Sequence, residues 1–358
     1  MARIREQVRY IATNKCASKS VKVSGTGSSF QRLLSCTGTD QLDQMVTIDV
    51  LPDDILLVIF TFHVNHWASC EDHWHTLTHV CQRWRCVVFA SPLRLNLRLL
   101  CTNRRSVKTM LDVLPALPIV IRAMMTTGAG TTWGSRDTTN VIAALEEHNR
   151  ICEINIQGIQ NTLFAAMEKI FPALKSLSLS SDDEYVPVLT DSFLGGYAAR
   201  LQSLELSGIP FPALPNLLLT TTDLVTLHLL DVPEPGFISP EAMVTVLSPL
   251  TRLQSLRLEF RYPRLGSQAY RASPHPIPRT RVSLTSLCSL HFRGDSEYLE
   301  GVVAQIDAPL LERVTTVFFN HLLFDTPLLR HFISRTKALK ALHRAEMLRQ
   351  AFSASGVC

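Results

Sequence analysis

Two apolar rhythms alternate along the chain. The N-terminal part has apolar positions three and four apart, as an amphipathic helix does. Ile55, Ile59 and Phe62 share one such face, and Leu56 and Phe60 widen it. Trp74, Leu77, Val80 and Cys81 repeat the spacing, as do Trp84, Val87 and Val88, until Ser91-Pro92 stops the run. From there the period falls to two. Leu93, Leu95, Leu97 and Leu99 alternate with Arg94, Asn96 and Arg98, which predicts a strand. A helix is expected from Ser106 to Leu114, a strand at Ile119–Ile121, a loop from Gly128 to Ser135, and a helix capped by Thr138 and running through His148.

From Ile151 onward one pattern recurs. Ile151-x-x-Ile154-x-Ile156 is followed by copies beginning at Leu174, Leu201, Leu224, Leu253 and Leu287, with decayed copies at Leu311 and Leu339. The starts lie roughly 23 to 34 residues apart, a leucine-rich-repeat signature at and beyond the upper end of its usual range. Helix-like segments such as Thr162–Phe171 and Pro240–Leu247 lie between the strands. No unit can bury its strand and helix faces alone, so stacked neighbours are expected to form a curved α/β solenoid. In each copy the residues flanking the middle leucine point away from the core, onto the concave sheet. They form the pairs Glu153/Asn155, Ser176/Ser178, Ser203/Glu205, Thr226/His228, Ser255/Arg257 and Ser289/His291. Glu205, His228, Arg257 and His291 are the candidates for contact with a target protein.

The helical stretch is short for its apolar content. Pro52 suits a first helical turn, and Asp53 and Asp54 favour the positive end of the helix dipole. About forty residues in three helices are marginal as an isolated domain, so the excess apolar surface is expected to go to another protein. Leu51-Pro52, Asp54, Ile55-Leu56, Ile59-Phe60 and Val80-Cys81-Gln82-Arg83-Trp84, in that order, resemble an F-box, of the kind found in fungal proteins. The pattern departs from the family between Phe60 and Val80, where a longer histidine-rich segment replaces the usual short Leu-Asp-Pro stretch. The resemblance implies a substrate receptor of an SCF-type cullin–RING ubiquitin ligase. Adaptor contacts would fall on Leu51, Pro52, Ile55, Ile59, Val80, Cys81 and Trp84. A cullin would follow through the adaptor, and the repeats would hold the target. Such a receptor is not itself an enzyme, and it works in the cytoplasm or nucleus.

Composition narrows the field further. Apolar residues make up 46% of the chain and charged ones 18%, so it folds. A net charge of +4 does not call for nucleic acid. Nine scattered cysteines, never spaced Cys-x-x-Cys, read as reduced thiols. No apolar run approaches the ~20 residues that cross a bilayer, and no membrane partner is expected. His63, His66, Cys70, His73, His75, His79 and Cys81 crowd together, and His75/His79 have a metal-ligand spacing. Without a His-Glu-x-x-His frame they indicate no metal site, and no cofactor motif is present elsewhere. The basic stretch Arg261–Arg281 has five arginines, four prolines and no acid, and reads as a surface insertion able to grip an acidic target. The expected organisation is a basic tail (1–45), an F-box-like module (46–92), the solenoid (93–344) and a short tail (345–358). A repeat scaffold outside any ligase, and a metal-binding regulator built on the histidines, are the competing readings.

Overall fold

A computed structural model describes residues 48–66, 74–102, 107–114, 116–124, 135–159, 161–181, 188–261, 281–319, 326–336 and 339. The expected N-terminal tail, the expected loop 128–135 except Ser135, most of the basic stretch 261–281 and the residues after Leu339, the expected tail 345–358 among them, lie outside them. The chain divides into two compact units. One ends at Leu97 and takes in Thr109–Ala116; the other takes Arg98–Lys108 and the chain from Leu117 onward.

The first unit is helical, with α1 (Asp53–His66), α2 (Trp74–Thr78) and α3 (Gln82–Ala90). The Pro52 carbonyl starts α1 by accepting from the Ile55 and Leu56 N–H groups, both at 3.1 Å. Leu56, Leu57 and Phe60 of α1 are buried with Trp74, Leu77, Val87 and Val88. The Phe60 and Trp84 rings lie 4.7 Å apart. Arg83 bonds Asp53 Oδ1 at 2.7 Å and also donates to the Leu51 carbonyl, tying the start of α3 to the start of α1.

Two sequence expectations fail here. Trp74, Leu77, Val80 and Cys81 do not share one helix, because α2 ends at Thr78. Val80 sits in a turn, and Cys81 is extended and caps α3, its Sγ accepting the Trp84 N–H at 3.5 Å. Nor do Leu93–Arg98 form a strand; of the expected run only Leu99 does, as the first residue of β1 (Leu99–Thr102). Pro92 has a fixed φ and no N–H to offer a ladder, and Asn96 turns left-handed at φ +49°. The Leu97 N–H then closes onto the Pro92 carbonyl at 2.9 Å.

The second unit is α/β. Among the described residues, nine parallel strands lie side by side in one sheet: β1 (Leu99–Thr102), β2 (Ile119–Met124), β3 (Ile151–Gln157), β4 (Ser176–Ser180), β5 (Ser203–Ser207), β6 (Thr226–Val232), β7 (Ser255–Phe260), β9 (Ser289–Gly294) and β11 (Arg313–Phe318). Two-residue strands β8 (Val282–Ser283) and β10 (Ile306–Asp307) pair separately. Chain order is kept across the large sheet, so each repeat adds one strand beside the last, as a solenoid-like arrangement requires. The apolar residues of the six full repeats are buried. Ahead of the strands a single file of backbone bonds runs from repeat to repeat. Lys175 N–H donates to the Cys152 carbonyl, Gln202 to Lys175, Val225 to Gln202, Gln254 to Val225, Cys288 to Gln254 and Glu312 to Cys288, all within 2.8–2.9 Å. Backbone N–H and C=O groups need partners, and this file pairs those at the start of each strand with the preceding repeat.

The helices that follow β1 in the chain are short: α4 (Val107–Val113), most of which belongs to the first unit, then α5 (Ser135–Glu146), α6 (Asn161–Ala166), α7 (Leu214–Leu218), α8 (Pro240–Leu247), α9 (Ser296–Val303) and α10 (Pro327–Arg335). Thr138 lies inside α5, three residues past its start, and α6 stops well before Phe171. α8 matches its expected span, with Ser239 Oγ accepting the Ala242 N–H at 3.2 Å. None of the described helices is long and apolar enough to cross a membrane.

The Glu300 carboxylate of α9 takes the first N–H groups of α10, Leu328 at 2.9 Å and Leu329 at 2.7 Å. These are orphan donors at the positive end of a helix, and a carboxylate suits both their bonding and the dipole. Glu300→Ala is therefore expected to lower unfolding stability by about 1–3 kcal/mol, measured by urea denaturation. Loss of protection at the α10 amides in hydrogen exchange would place the effect there.

Candidate functional site

The first unit carries an apolar row that its own core does not use. On α1 the residues alternate between two fates. Leu56, Leu57 and Phe60 are inside, while Ile55, Val58, Ile59 and Phe62 stand exposed, Phe62 at 74%. The exposed four are spaced three, one and three, so they form one strip along the helix. Pro52 at its start is exposed, and so is Val80, at 58%. Large apolar side chains grouped in this way make a candidate interaction surface.

Of the residues expected to meet an adaptor, Pro52, Ile55, Ile59 and Val80 are thus accessible. Leu51, Cys81 and Trp84 are half-buried and have internal duties: a carbonyl held by Arg83, a helix cap, and a ring against Phe60. Val58 was not among the expected contacts. Its place three residues after Ile55 and four before Phe62 was the available signal.

Among the described residues of the histidine-rich segment, His63 Nε2 lies 3.3 Å from Thr76 Oγ1, and the His75 ring stacks on Trp74 at 3.6 Å. His79 falls beyond the end of α2, so the expected four-residue helical spacing with His75 is not realised.

On the second unit, the expected outward positions come into line strand by strand. Ser178, Glu205, His228, Arg257, His291 and Thr315 occupy one cross-strand register. Ser176, Ser203, Thr226, Ser255, Ser289 and Arg313 occupy the one before it. Parallel strands lie roughly 4.8 Å apart, so neighbouring side chains in a register can touch, and they do. Glu205 Oε2 is 3.5 Å from His228 Nδ1, and His228 Nε2 is 3.1 Å from Ser255 Oγ.

The centre of the network is Glu259, a residue the repeat pattern did not flag. Arg257 Nε donates to its Oε1 at 2.6 Å, and His291 Nε2 stands 2.9 Å from the same oxygen. Glu259 is nearly inaccessible, with its side chain 9% exposed. Arg293, in register with Glu259, reaches Asp231 Oδ1 at 3.6 Å and lies over the Phe319 ring at 5.7 Å. Both Glu259 and Arg293 come two residues after a flagged position, so strand alternation alone puts them on the same face. Asp231 reaches it by a backbone irregularity: its φ is +47°, and the register between β6 and β7 shifts there.

Burial depresses the His291 pKa; the nearby Glu259 charge opposes this and Arg257 reinforces it. The ring is accordingly neutral near pH 7, and its Nε2–H donates to the carboxylate. Below the ordinary imidazole value of 6.5 the unfolded chain takes up this proton before the folded one does. Stability is therefore expected to fall as pH drops from 6.5 through the lower folded value, and to be insensitive to His291 above 6.5. Urea midpoints at about pH 7.5 and about pH 5.5 should differ less in His291→Gln than in the parent.

No protein-family model matches the chain, and no curated protein matches it.

Proposed function

We propose that the chain is a substrate receptor of an SCF-type cullin–RING ubiquitin ligase. Its helical unit acts as an F-box module, and its parallel sheet is the concave face of an irregular leucine-rich-repeat solenoid. The observation that carries this reading is the exposed strip Ile55, Val58, Ile59 and Phe62 beside Pro52 and Val80, on a unit whose core is already filled by other side chains. Apolar area of this kind is stabilised by removal from water, at about 25 cal/mol per Å². A helix-binding groove on a partner supplies that removal. The Leu-Pro opening and the Val-Cys-Gln-Arg-Trp close give the partner its expected identity, the ligase's small adaptor, with a cullin beyond it.

The receptor makes and breaks no bonds in this scheme. It raises the effective concentration of a target's lysines at the charged conjugating enzyme. The polar face holding Glu205, His228, Arg257 and His291 is where the target would sit. Tagged full-length protein is expected to co-purify with the adaptor and a cullin from a eukaryotic host. Recovery of stable partners without either subunit would replace this reading with that of a scaffold outside any ligase.

A further inference from the structure

The end of the polar face formed by β7, β9 and β11 differs in charge from the rest. Its outward positions hold three arginines, Arg257, Arg293 and Arg313, against one acid, Glu259, with Asp231 of β6 beside Arg293 as a second. Glu259 is buried and occupied, because one of its oxygens already takes both Arg257 Nε and His291 Nε2. Its effect on Arg257 is directional. A guanidinium anchored through Nε keeps its two terminal amino groups for another partner, in the planar fork that fits a carboxylate. The Arg257 side chain is 43% exposed, so the fork is reachable. Arg293 is similarly accessible, at 42%, and its Asp231 contact at 3.6 Å is longer than a hydrogen bond. Arg313 is exposed.

Position adds to charge. Ser255, Ser289 and Arg313 share the first register; Arg257, His291 and Thr315 the second; Glu259, Arg293 and Val317 the third. The three arginines therefore occupy three successive levels of the sheet. One level is two residues of strand, or about 6.6 Å. Along the strand direction this equals the interval at which an extended peptide displays side chains on one of its faces; across the sheet the arginines sit on three neighbouring strands, each about 4.8 Å from the next.

We infer that the polar face of β7, β9 and β11 docks an extended acidic peptide whose Asp or Glu side chains, at alternate positions, meet Arg257, Arg293 and Arg313. Glu259 and His291 act as positioning residues that hold the Arg257 fork ready. The inference deepens the reading above by giving the chemistry of the cargo, and it rests on that reading for the cargo's role.

The test uses the full-length chain alone, immobilised and challenged with a displayed random-peptide library. The expected result is enrichment of Asp and Glu at alternate positions. A selected peptide, followed by fluorescence polarisation, should bind about tenfold or more weakly to Arg257→Gln, and Arg257→Lys should recover only part of the loss. Binding should weaken as salt is raised. Arg252→Gln serves as a control for bulk charge, since Arg252 is an exposed turn residue paired with Asp223; it should bind as the parent does. Selected peptides without alternate acids, enrichment that survives in Arg257→Gln, or an equal loss in Arg252→Gln would overturn the inference. The adaptor is absent from the assay, so its failure to bind the chain would sink the ligase reading and leave this result untouched.

Discussion

Ile55→Asp combined with Ile59→Asp is expected to abolish capture of the ligase adaptor while leaving the thermal melt nearly unchanged. Both side chains are exposed, so placing charge there strands no carboxylate in the core. Surface substitutions of this kind usually shift stability by no more than about 0.5 kcal/mol. At an interface the same change removes two apolar anchors and forces two carboxylates out of water. Either alone costs several kcal/mol, and about 4 kcal/mol is a thousandfold in affinity. Co-precipitation with the adaptor, beside circular dichroism melts of both proteins, reads the two effects separately. Unchanged capture would remove the docking assignment, whatever else the chain binds.

The spacing that predicted α1 could not give its phase. Ile55, Leu56, Ile59 and Phe60 form one broad stripe in the sequence, and residues at neighbouring angles on a helix differ little in hydropathy. Only packing among the three helices, where Leu56 and Phe60 are buried along with Trp74, Leu77, Val87 and Val88, decides which edge turns inward. The second unit was more legible, because its leucines repeat with the strands. Register in a parallel sheet follows from burying one face, and a slip of one residue would expose every leucine. So the column from Glu205 to His291 came through with its members in line. Glu259 and Arg293 did not, since the repeat motif ends at its last leucine while the strands continue beyond it. The bend at Asp231 was illegible too, as a left-handed backbone at a non-glycine residue leaves no periodic trace. Between Leu93 and Arg98 the alternation was real but belonged to a turn, and only Leu99 reaches a strand, at the start of β1: Leu95 and Leu97 are buried beside the Pro92–Asn96 reversal, and Leu93 is left 88% exposed.

Phe60→Ala should give the opposite pairing of effects. Phe60 is fully buried and its ring meets Trp84 at 4.7 Å. Removing such a side chain from a packed core costs about 3–5 kcal/mol, through lost transfer energy and the cavity left behind. Whole domains are stable by only about 5–15 kcal/mol, so a helical unit this small would be largely unfolded. Hydrogen exchange should show the α1 and α3 amides losing most of their protection. Yet Phe60 lies inside and the strip Ile55, Val58, Ile59 and Phe62 outside, so the variant keeps the surface an adaptor would read. Binding to the folded form alone stabilises by RT ln(1 + [L]/Kd), about 2.7 kcal/mol at a hundred times Kd. Excess adaptor is therefore expected to restore much of the lost protection in Phe60→Ala and none in parent-like Ile55→Asp/Ile59→Asp, which has nothing to regain and nothing to bind. If adaptor failed to protect Phe60→Ala at any concentration, while still binding the parent, the contact surface would have to include the core face of α1, and the division of that helix into an inner and an outer edge would be wrong.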